Sequence, residues 1–218
     1  MNKPTSYSQR NQDLFVIDVL NGKKKNGTYL DFGCNEPLTI NNTYVLESLY
    51  NFKGLSFDID ESLINLWKDS GRNDKNAICA DLVRYDYKSV LNSFYTENII
   101  DYFSFDLEPP LVTLEVLRTF PFDKFKFRVV TFEHDFYRNY DTMNPSRKIF
   151  LDNGYRKISK SCMDSYCPRL YLSEDWWIHP DLVSINEELL DSNITELTIN
   201  DLIKEGCTIE LHNYWNIG

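Results

Sequence analysis

The segment Asp31-Phe32-Gly33-Cys34-Asn35 places a glycine between a carboxylate and a carboxamide at the end of an apolar run, Tyr29-Leu30-Asp31-Phe32. A glycine at such a turn lets the backbone come close to a ligand. Asp58, which ends the next apolar run, offers a carboxylate that can accept both hydroxyls of a ribose. Together they point to an adenosine-containing ligand. Gly33 stands alone, without the further glycines that hold a pyrophosphate on a helix N-terminus, so the pattern favours S-adenosylmethionine over a dinucleotide. The competing account of Gly33 is a strand-to-helix turn that needs glycine for its own geometry.

Asp81, in Cys79-Ala80-Asp81-Leu82, follows a third apolar run, where it either accepts from an adenine amine or caps a helix. Asp106 and Glu108 follow the fourth run, and Glu133, His134 and Asp135 the fifth. In an open α/β sheet these residues share the carboxyl edge, where ligands bind. Oxygens with one imidazole suit Mg²⁺ or Mn²⁺, which gives Asp106, Glu108, Glu133 and His134 as a candidate metal set. They suit equally a general base that deprotonates a hydroxyl, with His134 the first choice by its ordinary pKa and Asp106 and Glu133 beside it. His134 as a polar partner closing the fifth strand is the alternative, and His179 and His212 are the remaining imidazoles. Trp176 and Trp177 either stack on a sugar face or pack in the core.

These residues need elements to position them, and the sequence alternates short β-rich runs with segments of helical spacing, as an open parallel sheet requires. Strands are expected at Tyr29–Phe32, Gly54–Asp58, Ala77–Ala80, Asp101–Asp106, Phe127–Phe132, Tyr155–Ser159 and Asp175–Ile178. Helices are expected from Gln12 to Leu20, through Tyr44 to Leu49, Leu63 to Trp67, Val90 to Phe94 and Leu111 to Phe120, and from a cap at Asn144 with Pro145 first to Asn153-Gly154. The expected fold is a Rossmann-like α/β sheet with helices on both faces, occupying residues 1–183, with residues 184–218 as an appendage packed on the same domain.

Composition narrows the partners. With 42% hydrophobic and 15% aromatic residues the chain packs a core, and its 218 residues suffice for one domain. A net charge of −10 argues against sequence-independent binding of nucleic acid or an anionic membrane, both of which depend on Lys and Arg. Lys23-Lys24-Lys25 before Asn26-Gly27 reads as a solvated turn, and Arg138, Arg147 and Lys148 are the cations nearest the presumed mouth. No run is long and apolar enough to cross a bilayer, and the polar start lacks a signal-peptide core, so a cytoplasmic location is expected. The five cysteines, Cys34, Cys79, Cys162, Cys167 and Cys207, are scattered and suit reduced thiols; Cys162 and Cys167 lack the companions of a zinc site. The sequons at Asn26, Asn41 and Asn193 are discounted in that compartment.

The order of these motifs resembles the FkbM-type S-adenosylmethionine-dependent methyltransferases from Ser8 to about Val183. The resemblance runs through Ser8-Gln9, Gln12-Asp13, Asn26 to Gly33, Pro37 to Tyr44, Lys53 to Asp58, Ile100 to Glu108, Thr131 to Asp135, Gly154-Tyr155 and Glu174 to Trp177. It implies a seven-stranded class I methyltransferase fold with the cofactor around the first three strand ends. Asp31, Gly33 and Asn35 would line its methionine end, Asp58 the ribose, Asp81 the adenine, and Asp106 the reaction centre. It also implies O-methylation of a small acceptor such as a sugar or glycan. One departure is Pro109-Pro110-Leu111, where the family carries a glycine and a second glutamate. A non-catalytic binding domain on the same fold and a nicotinamide-dependent oxidoreductase are the rival readings.

Overall fold

Runs of aromatic and β-branched residues form the strands of a seven-stranded sheet, because side chains of that shape fit a pleated surface covered on both faces. The structure is a computed structural model that describes residues 4–22, 24–138 and 141–192. Cys207, His212, Asn193 and the segment from residue 193 onward lie outside the described residues, as does Lys23. The strands are β1 (Thr28–Phe32), β2 (Lys53–Asp58), β3 (Ala77–Cys79), β4 (Ile99–Phe105), β5 (Lys126–Glu133), β6 (Arg156–Lys157) and β7 (Glu174–Ile178). Their spatial order is β3-β2-β1-β4-β5-β7-β6. The order in which successive strands are added reverses between β1 and β4, which is the switch point where an α/β sheet opens a crevice.

The first five strands are parallel, and β7 runs antiparallel to both β5 and β6. The expected Rossmann-like seven-stranded sheet is therefore present, parallel through β5 and mixed at the β7–β6 edge. The expected strand over Tyr155–Ser159 is cut to Arg156–Lys157; Ile158 still donates to the carbonyl of Trp176 and also bridges Leu190 on its other side. Ser159 then caps a helix that the sequence reading lacked, α7 (Lys160–Tyr166), by accepting from the amide of Cys162. Residues 184–192 run alongside this corner, with Leu190 buried.

The remaining helices are α1 (Gln12–Val19), α2 (Tyr44–Tyr50), α3 (Glu61–Leu66), α4 (Tyr87–Phe94), α5 (Pro110–Thr119) and α6 (Met143–Asp152). Thr142, not Asn144, stands at the N-cap of α6, so Pro145 falls in the first turn, where a missing N–H costs nothing. Period-two alternation sorts the strands onto two cores. Leu30, Phe32, Phe103, Phe105, Val130 and Phe132 share one core with Leu91 of α4, Leu114 of α5 and Phe150 of α6. Tyr29, Tyr102, Val129, Trp176 and Ile178 share the other with α1, α2 and α7.

Neither tryptophan is free to stack on a sugar. Trp176 lies against Phe15 with ring centroids 4.2 Å apart, and Trp177 against Phe150 at 4.9 Å, both fully buried. Trp176→Ala and Trp177→Ala should each lower unfolding free energy by about 3–5 kcal/mol in a denaturant titration, the usual result of emptying an aromatic site. Losses below about 1 kcal/mol would contradict their place in the core.

Candidate functional site

Where β1 and β4 part, a cavity of about 440 Å³ opens along the carboxyl ends of the strands. Gly33 sits at its floor with φ +82°, and a Cβ there would lie 1.6 Å from the carbonyl oxygen of Asp106. The glycine is therefore required by the backbone of the neighbouring strand end, so the turn-geometry account holds, and the same close packing sets Asp31, Gly33, Asn35 and Asp106 on one wall of the cavity. Asp31 is buried, accepts from the Thr43 hydroxyl at 3.0 Å, and is pushed by burial up to about 6 against the opposing charge of Arg72.

The loop from Gly33 to Thr43 is held by two side chains, Asn41 and Arg72. Asn41 donates to the carbonyls of Cys34 and Glu36, both at 2.9 Å, and its oxygen receives the amides of Thr43 and Tyr44. Arg72 reaches in from beyond α3 to the carbonyl of Pro37, Asn41, the Tyr29 hydroxyl, Thr43 and Glu47, with the Trp67 ring 4.1 Å from its guanidinium. Only the folded chain gathers these positions, and nothing in the spacing of a lone arginine announces the role.

Asp58 accepts the amides of Asn35 and Asp60 at 2.9 Å each, one on either carboxylate oxygen. Each oxygen keeps a lone pair for another donor. Asp60, the alternative ribose contact, instead caps α3 through Ser62. Asp81 accepts from the amide of Val83 at 3.0 Å, so it does cap a turn, and it still lines the cavity among Ile59, Leu63, Ala80 and Leu82. A slot walled by aliphatic side chains and closed by a carboxylate suits a flat heterocycle with an exocyclic amine.

Carboxyl groups crowd the opposite end. Asp106 and Glu133 are hydrogen-bonded to one another, and burial raises both, Glu133 further because Asp106 lies beside it. Such a pair holds a proton between its members. Glu174, paired in register with Glu133, is pushed by burial up to about 8 and accepts from Gln12 at 3.0 Å. Sequence reasoning passed over Glu174, although its place before the tryptophans in a β-rich run marked it as an inward-facing acid. Glu108 is exposed and bound through both oxygens by Arg138, at 2.7 and 2.9 Å, and Arg138 also binds Asp135 at 2.8 Å.

His134 does not join this group. It points to the far side of the strand end, fully buried, with Nε2 3.9 Å from Asp175 and Nδ1 accepting the amide of Phe136 at 3.2 Å. Burial lowers it to about 3. Burial alone would raise Asp175, but Arg147, bonded to it at 2.6 and 2.9 Å, and Lys157 hold it well below the usual carboxylate range. The assignment of His134 as base or metal ligand is corrected accordingly, because adjacent residues at a strand end face opposite ways. His179 is also buried, with its ring edge-on to Tyr155. The proposed metal set fails with it: Glu108 is taken by Arg138, and among the described residues no three His, Cys, Asp or Glu side chains converge to hold an ion.

Solved structures with this arrangement include the METTL16 MTase domain, 12% identical, covering 80% of this chain and 68% of that one with a TM-score of 0.52. Its fold is the class I methyltransferase fold. A chain from Clostridium thermocellum named for rRNA methylation is 16% identical over 81% of this chain and 97% of its own, with a TM-score of 0.49. The plantazolicin methyltransferase BpumL, solved with S-adenosylhomocysteine, is 13% identical over 78% and 82%, with a TM-score of 0.46. No protein-family model and no curated protein matches the sequence.

Two measurements check this geometry. Gly33→Ala forces both a strained φ and a collision with Asp106, and should lower stability by at least about 2 kcal/mol in urea unfolding. Glu174 binds a proton in the folded chain that the unfolded chain releases near 4.5, so its contribution to stability is complete below that pH and is lost as pH rises to about 8. Thermal midpoints should therefore fall between those limits, and Glu174→Gln should flatten the slope; an unchanged slope would place the titration elsewhere.

Proposed function

We propose that the chain is an S-adenosylmethionine-dependent methyltransferase of the FkbM type, and that it methylates a hydroxyl oxygen of a small, neutral or cationic acceptor such as a sugar. The observation that carries this is the division of one cavity on a class I methyltransferase sheet: an aliphatic slot with Asp58 and Asp81 at one end, and a proton-sharing carboxyl pair at the other. The remaining lone pairs of Asp58 fit ribose hydroxyls, and Asp81 fits the adenine amine. When bound, S-adenosylmethionine supplies a methyl group already activated on sulfur.

The chain's own task is then to orient the acceptor, exclude water and take one proton. Glu133 and Asp106 are placed for the last step: the ionised member of the pair accepts the hydroxyl proton, and it would ionise more readily beside a sulfonium cation. Arg138, clamped between Glu108 and Asp135, lines the same cavity. A neutral or cationic acceptor is supported by the net charge of −10 and the acidic lining, which repel a polyanion such as RNA. No helix among the described residues is long and apolar enough to cross a membrane.

Calorimetry with S-adenosylhomocysteine tests the cofactor. Asp58→Ala should weaken its binding by about 1–3 kcal/mol, the range for a lost hydrogen bond in a closed site. Binding of NADH in place of S-adenosylhomocysteine would overturn the reading. For the chemistry, Glu133→Gln should abolish release of S-adenosylhomocysteine in the presence of a sugar acceptor, and turnover of the unaltered chain should survive a chelator. Full turnover of Glu133→Gln would remove the pair from the mechanism.

A further inference from the structure

The residues lining the cavity include two cations, Arg10 and Arg138. Arg138 is consumed by Glu108 and Asp135. Arg10 is not: it is half-buried, and its Nε is shielded from solvent with no hydrogen-bond partner. An unpaired guanidinium donor in such a place costs free energy unless a ligand completes it. Its charge acts on Asp106, Glu174 and Tyr137, which puts it at the β4–β5–β7 end of the cavity.

The position of Arg10 is built. Asp13 is wholly buried and gathers the hydroxyl of Ser6 at 2.6 Å, the amide of Tyr7 at 2.9 Å and the hydroxyl of Ser8 at 2.8 Å. The amide of Asn41 donates to the carbonyl of Tyr7 at 3.0 Å, tying this N-terminal strap to the loop after β1. The amide of Arg10 donates to Gln12 at 2.8 Å, and Gln12 in turn holds Glu174. The strap thus presents an unpaired guanidinium donor to a cavity rich in acids.

From this we propose that Arg10 binds the α-carboxylate of the methionine part of S-adenosylmethionine, a contact that fixes the cofactor's amino-acid end under the N-terminal strap. The inference rests on the cofactor reading above. A methionine end is a zwitterion. Asp31 and Asp106 supply acceptors for its ammonium, and its carboxylate needs a cation at the same end, where Arg10 is the donor left unpaired. An acidic acceptor molecule is the other anion that this guanidinium could serve.

The test compares two ligands by calorimetry: S-adenosylhomocysteine, which carries the amino-acid end, and 5′-methylthioadenosine, which lacks it. Arg10→Met should weaken S-adenosylhomocysteine by about ten- to a hundredfold, as expected for a lost charged hydrogen bond, and leave 5′-methylthioadenosine unchanged. Arg10→Lys should recover part of the loss. Equal affinity of Arg10→Met and the unaltered chain for S-adenosylhomocysteine would overturn the proposal and leave the guanidinium to an acidic acceptor. A parallel loss for both ligands would also overturn it, since Arg10 would then merely support the cavity. If neither ligand binds the unaltered chain, the cofactor reading itself falls, and this contact with it.

Discussion

The guanidinium of Arg72 has its side chain 2% exposed, between the Trp67 ring and oxygen acceptors on Tyr29, Pro37, Asn41, Thr43 and Glu47. Stripping a guanidinium of water is expensive, and the charge is tolerated because Glu47 neutralises it and its donors are satisfied. The loop after β1 depends on this: its carbonyls point at Arg72 and Asn41 instead of solvent, which leaves the opposite side of the loop free to line the cavity. Asn35 and Asp58 lean on the same loop through the amide that Asp58 accepts. The shape of the cavity on this sheet is therefore a consequence of a buried ion held several residues away from it.

At the other end of the cavity the constraint is an excess of negative charge. Carboxyl groups from β4, β5 and β7 meet because neighbouring strands are about 5 Å apart, and like charges at that spacing cannot all ionise. Protons shared by Asp106 and Glu133, and retained by Glu174, relieve the repulsion. The same excess makes the site receptive to a positive ligand, which would release those protons. The ion cluster of Arg147, Lys157 and Asp175 lies across the sheet from this end, beside His134, which burial keeps neutral.

Much of the architecture was legible in local patterns. The β-rich runs that carry Asp31, Asp58, Asp106 and Glu133 at or beside their ends became parallel strands with their carboxyl ends aligned, because strands buried on both faces and joined by crossover helices leave few other arrangements. The antiparallel corner was less so. Its strand is short, its helix α7 has only a serine cap to announce it, and its pairing partner Leu190 lies more than thirty residues on. Thr142 displaced Asn144 as the cap of α6 for a tertiary reason, since its hydroxyl donates to the carbonyl of His134.

By itself the sequence determined which residues could reach the ligand edge, because a glycine after a strand, an acid at a strand tip and strand–helix alternation are local signals with local physical causes. Tertiary structure alone decided which of them face the cavity. Glu133 and His134 are adjacent, yet one shares a proton with Asp106 while the other is sealed beside Asp175, because side chains alternate across a strand end. It also decided the meaning of Arg10 and Arg72, two isolated arginines in an acidic chain. One is saturated with acceptors and the other keeps an unpaired donor, a difference set by how the loops close around each guanidinium.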